Sequence, residues 1–295
     1  MRPLCMLLLM GISISYAQLT EFDQWAQRVN WDGTTPWQFY INAAPGAMGP
    51  SALPVPRMQK GLVSNQWALE IRPEYHKAPG DKTYDLFSRL YVPVVKERVS
   101  LEFFWVVYER YNMDPELRNF RNARTPDGKG AATGDLHIST IIQLLRDHHS
   151  LPDVTLNISI KTALGGQLDD ARFTDAPGYY FDVSAGNDIK LGKSGNQHLR
   201  WHVMAGFYVW QIYTISQRQN DAFSFGGGLD WVSNIWMFSN TLSGFIGYIN
   251  DGDQPIIWES TLQYNPGKLS PGIGYRNGLN DYPYQSYYFS LTLPL

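Results

Sequence analysis

Apolar and polar residues alternate with a period of two along most of this chain, and the last stretch shows it plainly. Tyr287, Phe289, Leu291, Leu293 and Leu295 are apolar, with the smaller or more polar Tyr288, Ser290 and Thr292 between them. Such alternation turns one face of a β-strand to an apolar medium and the other to a polar one. From Leu62 onward the pattern predicts twelve strands, near residues 62–76, 82–94, 98–111, 135–146, 153–164, 178–188, 198–214, 221–232, 235–248, 255–264, 268–276 and 286–295. Most are close to the roughly 9–11 residues a tilted membrane strand needs. The connections alternate in length as well. Every second one is tight, as at Val95-Lys96-Glu97, Ser233-Asn234 and Asn265-Pro266-Gly267, whereas Asn112 to Gly134 and Gly165 to Pro177 are long.

The two faces of these strands differ in chemistry. One carries Trp67, Leu69, Ile71 and Tyr75, then Leu86, Leu90 and Val92, then Leu101, Phe103 and Trp105, and continues through Ile158, Phe181, Val203, Phe207 and Phe223. The other carries Glu70, Arg72, Glu74, His76, Asp85, Arg89, Glu102, His137, Ser139, Gln143, Asn157, Ser159, Lys161, Asp182, Arg200, His202, Asp230, Glu259 and Arg276. Charges cost far less in a wet or internally paired lumen than against lipid. The expected fold is therefore all-β: a transmembrane, antiparallel, up-and-down barrel of about twelve strands, spanning residues 62–295. An even strand count and loops sorted by length resemble bacterial outer-membrane β-barrels. That resemblance implies the outer membrane as the location, with its lipids and lipopolysaccharide as surroundings. It also implies that the final strand, Tyr287–Leu295, is the segment the barrel-assembly machinery reads. The strand departs from the commonest ending in finishing on Leu295, with Pro294 unable to donate to the ladder.

The first residues fit an exported protein. Arg2, the apolar run Leu4–Ile12 and Ser15-Tyr16-Ala17 have the order of a secretory leader, expected to be cleaved after Ala17. The single cysteine, Cys5, lies in that leader, so a disulfide, a thiolate metal site and a thiol nucleophile are not expected in the mature chain. Residues 18–61 lack the alternation and are rich in Pro and Gly, from Pro45-Gly46 to Pro54-Val55-Pro56. They form either a periplasmic lead-in against the barrel base or a plug in the lumen. Aromatics at 14% and a mean hydropathy of −0.29 suit strands that hide their apolar content by alternating. A net charge of −3 without a dominant basic run argues against nucleic acid as a partner.

Two groupings carry possible chemistry. Folding the first hairpins about their turns places Glu70 opposite Arg89, Arg89 opposite Glu102, and Arg72 one pleat away. With Lys161 and Arg200, these are the candidate lumen and selectivity residues for a small polar solute. The second grouping is His137-Ile138-Ser139 with Asn157, expected opposite Ser139: a hydroxyl, an imidazole base and an orienting amide. It is similar to outer-membrane phospholipase A, although Thr140-Ile141-Ile142 follows the serine where that family has Asn-Gly-Arg. The leading expectation is a narrow channel or binding barrel. The alternatives are a non-conducting docking barrel and a membrane-embedded lipid hydrolase. No cofactor or metal is expected: Asn250-Asp251-Gly252-Asp253 reads as a hairpin turn, and Gly226-Gly227-Gly228 as a place of close backbone approach. Arg118, Arg121, Arg124 and Lys129 form a basic loop cluster suited to anionic lipopolysaccharide.

Overall fold

The computed structural model describes residues 20–192, 196–214 and 216–295, and the expected leader lies outside the described residues. Thirteen strand segments form one antiparallel sheet: β1 (Ala68–Ala78), β2 (Asp81–Val95), β3 (Val99–Met113), β4 (Lys129–Ala132), β5 (His137–Leu145), β6 (Asp153–Lys161), β7 (Gly178–Leu191), β8 (Gln197–Gln211), β9 (Gln219–Val232), β10 (Trp236–Gly247), β11 (Ile256–Tyr264), β12 (Ser270–Asn280) and β13 (Gln285–Pro294). Sequence neighbours pair with one another except β4 and β5, which both pair with β3, and β1 also pairs with β13, which closes the barrel. Glu109↔Ala132 and Phe104↔His137 keep a single register along β3, so β4 and β5 are two halves of one interrupted stave. The closed barrel therefore has twelve staves.

The chain crosses from one rim to the other with each stave. The long connections 114–128, 162–177 and 248–255 lie at one end, here the loop rim, together with the two-residue β1–β2 turn, and the connections 96–98, 146–152 and 233–235 at the other, the turn rim. The pleat sorts the side chains as the alternation demands. Glu70, Glu74, His76, Asp85, Glu102, His137, Ser139, Asn157, Lys161, Asp182, Arg200, His202 and Asp230 are all buried inside. Ile158, Ile160, Phe181, Val203, Phe207, Phe223 and Phe289 are left exposed outside. Aromatic rings border this apolar belt: Tyr75 and Tyr84 pack at 4.8 Å, and Tyr275 and Tyr287 at 5.1 Å, toward the loop rim. Trp236 and Tyr264, at 4.8 Å, do so at the turn rim. Paired girdles of this kind suit the two interfaces of a bilayer.

The N-terminal segment runs through the lumen. Helix α1 (Glu21–Arg28), opened by a capping box between Thr20 and Asp23, sits at the loop rim. There the Trp25 indole donates to Asn122 O at 2.7 Å and Arg28 to Ala123 O at 2.6 Å. Further on, Trp210 Nε1 donates to Ala43 O at 2.9 Å and Gly46 N to Gly252 O at 2.9 Å. The chain then descends to the turn rim, where Lys60 Nζ reaches Asp230 at 2.7 Å and Gly61 O accepts from Gln143 at 2.7 Å. Four prolines, at positions 45, 50, 54 and 56, explain how a backbone without a ladder can be buried, because each removes a donor that would need a partner. Gly61 has φ +79°, and a Cβ there would meet Asp153 O at 2.5 Å. Gly226 gives way to the segment in the same manner, since a Cβ would lie 2.6 Å from Met58 Sδ.

The first stave starts at Ala68, later than the expected Leu62. Residues 62–67 belong to the segment, with Val63 N donating to Gln143 Oε1 and Ser64 N to the Tyr91 hydroxyl, both at 2.8 Å. Near the loop rim the segment packs into the main apolar cluster, in which Met48, Leu53, Tyr180, Tyr208, Trp210 and Phe245 are buried. This topology predicts sidedness. Single cysteines at Glu21 and Asn119 should react with an impermeant maleimide from the same side of a reconstituted bilayer, and one at His149 from the opposite side. Labelling of Glu21→Cys together with His149→Cys would contradict the threaded path.

Candidate functional site

The lumen divides into a filled half and an open half. Toward the loop rim, Arg121 and Arg172 leave the long loops and turn into the barrel. Arg172 bonds Asp81 and Glu109, each at 2.7 Å, and Arg121 reaches Asp81 at 2.9 Å, with side chains at most 1% exposed. Arg121 also donates to Met48 O at 2.9 Å and to the Tyr284 hydroxyl at 2.7 Å. A Cβ on Gly49 would lie 2.9 Å from the Arg172 guanidinium carbon, so the segment passes flat against this cluster. The loops thus grip the segment through charge-assisted bonds, about twice as strong as neutral ones. Burial raises the Asp170 carboxyl above the usual carboxylate range, and the Tyr111 hydroxyl donates to it.

Toward the turn rim the lumen holds a cavity of about 780 Å³ that reaches Asn265, Gly267 and Pro294. One wall is ionic. Glu70 has three arginines within 4 Å: Arg89 at 3.4 Å, Arg72 at 3.5 Å and Arg57 at 3.6 Å. Arg89 Nε binds Glu102 at 2.5 Å, Arg72 Nε binds Glu74 at 2.5 Å, and Arg276 bridges Glu74 and Glu259 at 3.6 and 3.3 Å. Arg72 also lies over the rings of Phe87 and Tyr288, at 4.1 and 4.7 Å. Uncharged polar side chains share the lining, with Ser239, Thr241 and Ser243 on β10, Thr261 and Gln263 on β11, and Ser290 on β13. Arg57, its side chain 43% exposed, is the most accessible of these arginines.

The structure brings together four of the six candidate selectivity residues: Glu70, Arg72, Arg89 and Glu102. It does not bring in the other two. Lys161 binds Asp135 at 2.6 Å and the carbonyl of Ala176 at 2.7 Å, below the loops. Arg200 is held at the turn rim by Asp153 at 2.9 Å and Asp188 at 3.0 Å. Glu70 lies opposite Arg89 as expected, but Arg89 faces Phe104, and Glu102 faces Tyr91. The connecting turn is Lys96-Glu97-Arg98, with Glu97 at φ 58°, one residue later than the expected Val95-Lys96-Glu97. Arg89 still reaches Glu102 diagonally.

The hydrolase arrangement is not assembled. Ser139 lies opposite Ser159, with their hydroxyl oxygens 2.7 Å apart, and Asn157 lies opposite Ile141 and donates to Asp182 at 2.8 Å. His137 stacks on Phe104 at 4.5 Å. Of the basic loop cluster, Arg121 is buried, so it is not available to a lipopolysaccharide surface. Asp253 is buried and accepts from Ile249 N at 3.0 Å and Asn220 Nδ2 at 2.7 Å, closing its loop.

Sequence reasoning missed Arg57 and Arg172, which lie outside the alternating pattern. It also passed over a grouping it could have found. The hairpin register that sets Arg89 opposite Glu70 also sets Asp85 opposite Glu74, with His76 two residues on.

No family model matches the chain, and no characterised protein matches it by sequence. Among solved structures, the fold is similar to that of an outer membrane channel from Pseudomonas putida F1. The TM-score is 0.54 at 13% identity, over 82% of this chain and 100% of that one. The KdgM porin in complex with disordered oligogalacturonate is more distant, with a TM-score of 0.47 and 10% identity over 77% of this chain and 99% of that one. The chain thus has the fold of outer-membrane β-barrels.

Arg172→Ala strips Glu109 of its guanidinium partner and should cost about 3–5 kcal/mol in urea unfolding from detergent. Arg124→Ala, whose 3.8 Å pair with Asp169 is partly exposed, should cost under about 1 kcal/mol. Ser139→Ala should leave any lipid turnover by the purified protein unchanged, as assayed on phospholipid micelles.

Proposed function

We propose that this protein is a bacterial outer-membrane barrel that binds small polar solutes in its turn-rim cavity and passes them when residues 41–63 are displaced. The observation that carries this reading is the cavity: an arginine–carboxylate network set among hydroxyl and amide side chains, bordered by the N-terminal segment as well as by the staves. Paired charges and hydroxyls together suit a solute with several hydrogen-bonding groups. The Arg89–Glu102–Glu70 ladder is the place where its charge would be read. Export through a leader cleaved after Ala17, assembly through Tyr287–Leu295 and contact with lipopolysaccharide at the loop rim complete the proposal. The filled upper lumen favours a second reading, a non-conducting docking barrel.

Conductance in planar bilayers separates the two. The intact protein should conduct weakly. Lys60→Gln, which breaks the ion pair to Asp230, should open it more often. Arg89→Glu in that background should shift selectivity toward cations. Selectivity indifferent to Arg89 would remove the proposed path past the ladder, and silence of both proteins would favour the docking barrel.

A further inference from the structure

The geometry points to a binding site for one divalent transition-metal ion at Glu74, His76 and Asp85. Glu74 and His76 are alternate residues of β1, so both face inward, and Asp85 lies directly opposite Glu74 on β2. One ligand atom from each lies within 4.8 Å of the others, and all three residues are buried. His76 Nε2 is 3.0 Å from Asp85 Oδ2 and 3.7 Å from Glu74 Oε2. Donors bound tetrahedrally at about 2.0–2.1 Å from an ion stand about 3.3–3.4 Å apart, so these spacings bracket the required edge.

A second observation is independent of the clustering. Glu74 Oε2 and Asp85 Oδ1 are buried atoms without a hydrogen-bond partner, an expensive condition for a carboxylate oxygen. Glu74 Oε2 is the oxygen turned toward the imidazole.

The surroundings supply the supports a metal site needs. His76 Nδ1 is 2.7 Å from Ser286 Oγ. A ring donating its Nδ1–H there presents the Nε2 lone pair to the ion. Arg72 occupies the other oxygen of Glu74, at 2.5 Å, and Ser51 donates to Asp85 Oδ2 at 3.2 Å. Arg276, 3.6 Å from Glu74 Oε2, bridges to Glu259 at 3.3 Å through its other terminal nitrogen. One imidazole and two carboxylates suit zinc, manganese or ferrous ions. Glu74 and Ser51 also line the cavity, which supplies a route of entry. The competing arrangement is an imidazolium held between the two carboxylates, with no ion bound.

Zinc titration of the full chain in detergent, followed by calorimetry, tests the site. One equivalent should bind. His76→Gln and Asp85→Asn should each weaken binding by about 100-fold or more, beyond what loss of an outer support usually does. The exposed-turn variant His148→Ala/His149→Ala should bind as the parent does. Heat-modifiable migration on gels reports whether each variant is folded. Absence of stoichiometric uptake by the parent, or equal uptake by a folded His76→Gln, overturns the proposal. Should the variants fail to fold, zinc-edge anomalous diffraction from the parent decides it. A peak between Glu74, His76 and Asp85 supports the site, and a peak elsewhere overturns it.

Discussion

A charge turned into this barrel must find its partner inside the barrel. The outer face is apolar from girdle to girdle, so no inward arginine or carboxylate can escape through the wall, and in the loop-rim half of the lumen the side chains that hold these charges are at most 1% exposed. Much of the molecule's organisation follows from that constraint. Asp81 is shared by two arginines, Arg172 by two acids, and Glu70 by three arginines. The partners are drawn from whatever element can reach: staves for Arg72, Arg89 and Arg276, long loops for Arg121 and Arg172, and the N-terminal segment for Arg57 and Lys60. Breaking such a group leaves an uncompensated buried charge, which is why the loop-rim cluster holds the loops in place.

The faces of the staves were legible in the sequence, whereas their partners were legible only in part. The reason is parity. A hairpin turn placed one residue too early moves every cross-strand partner by two, and a shift of two preserves the face. Together with the bulges beside the two turns, at Pro93/Val95 and Gln143/Leu145, turn placement separates the expected pairs Arg89–Glu102 and Ser139–Asn157 from the observed Tyr91↔Glu102 and Ser139↔Ser159. Burial of Glu102, Ser139 and Asn157 was therefore readable from alternation, but a triad, which depends on the partner, was not. Long side chains are forgiving of such a shift. Arg89 spans the diagonal to Glu102, while the short Ser139 and Asn157 cannot meet across theirs.

The threaded segment was hidden for a different reason. Its contacts join positions far apart in the chain, such as Lys60 with Asp230 and Arg121 with Met48 O, and no local period encodes them. Only the prolines and glycines hinted at a backbone kept out of the ladder. Arg121 shows the same limit from the other side. In sequence it belongs to an exposed basic loop, and only the fold reveals that the loop turns inward to reach Asp81.

These two classes of contact divide the molecule mechanically. The staves are joined by a continuous backbone ladder, so no part of the wall can open without breaking several bonds at once. The segment is held by discrete contacts: Arg121 and Trp210 on its carbonyls, Gly46 on Gly252, Lys60 on Asp230, and Gln143 on Gly61 and Val63. Local opening free energies follow the number and burial of the bonds broken, and those of the segment can be lost without touching the ladder. Of these contacts the Lys60–Asp230 pair is the more exposed, with the Lys60 side chain at 29% against 0% for Arg172. Solvent can replace it at lower cost, so displacement should begin at the cavity and leave the loop-rim cluster for last. A barrel built in this way has a wall and a lumen segment that are held by separate sets of bonds.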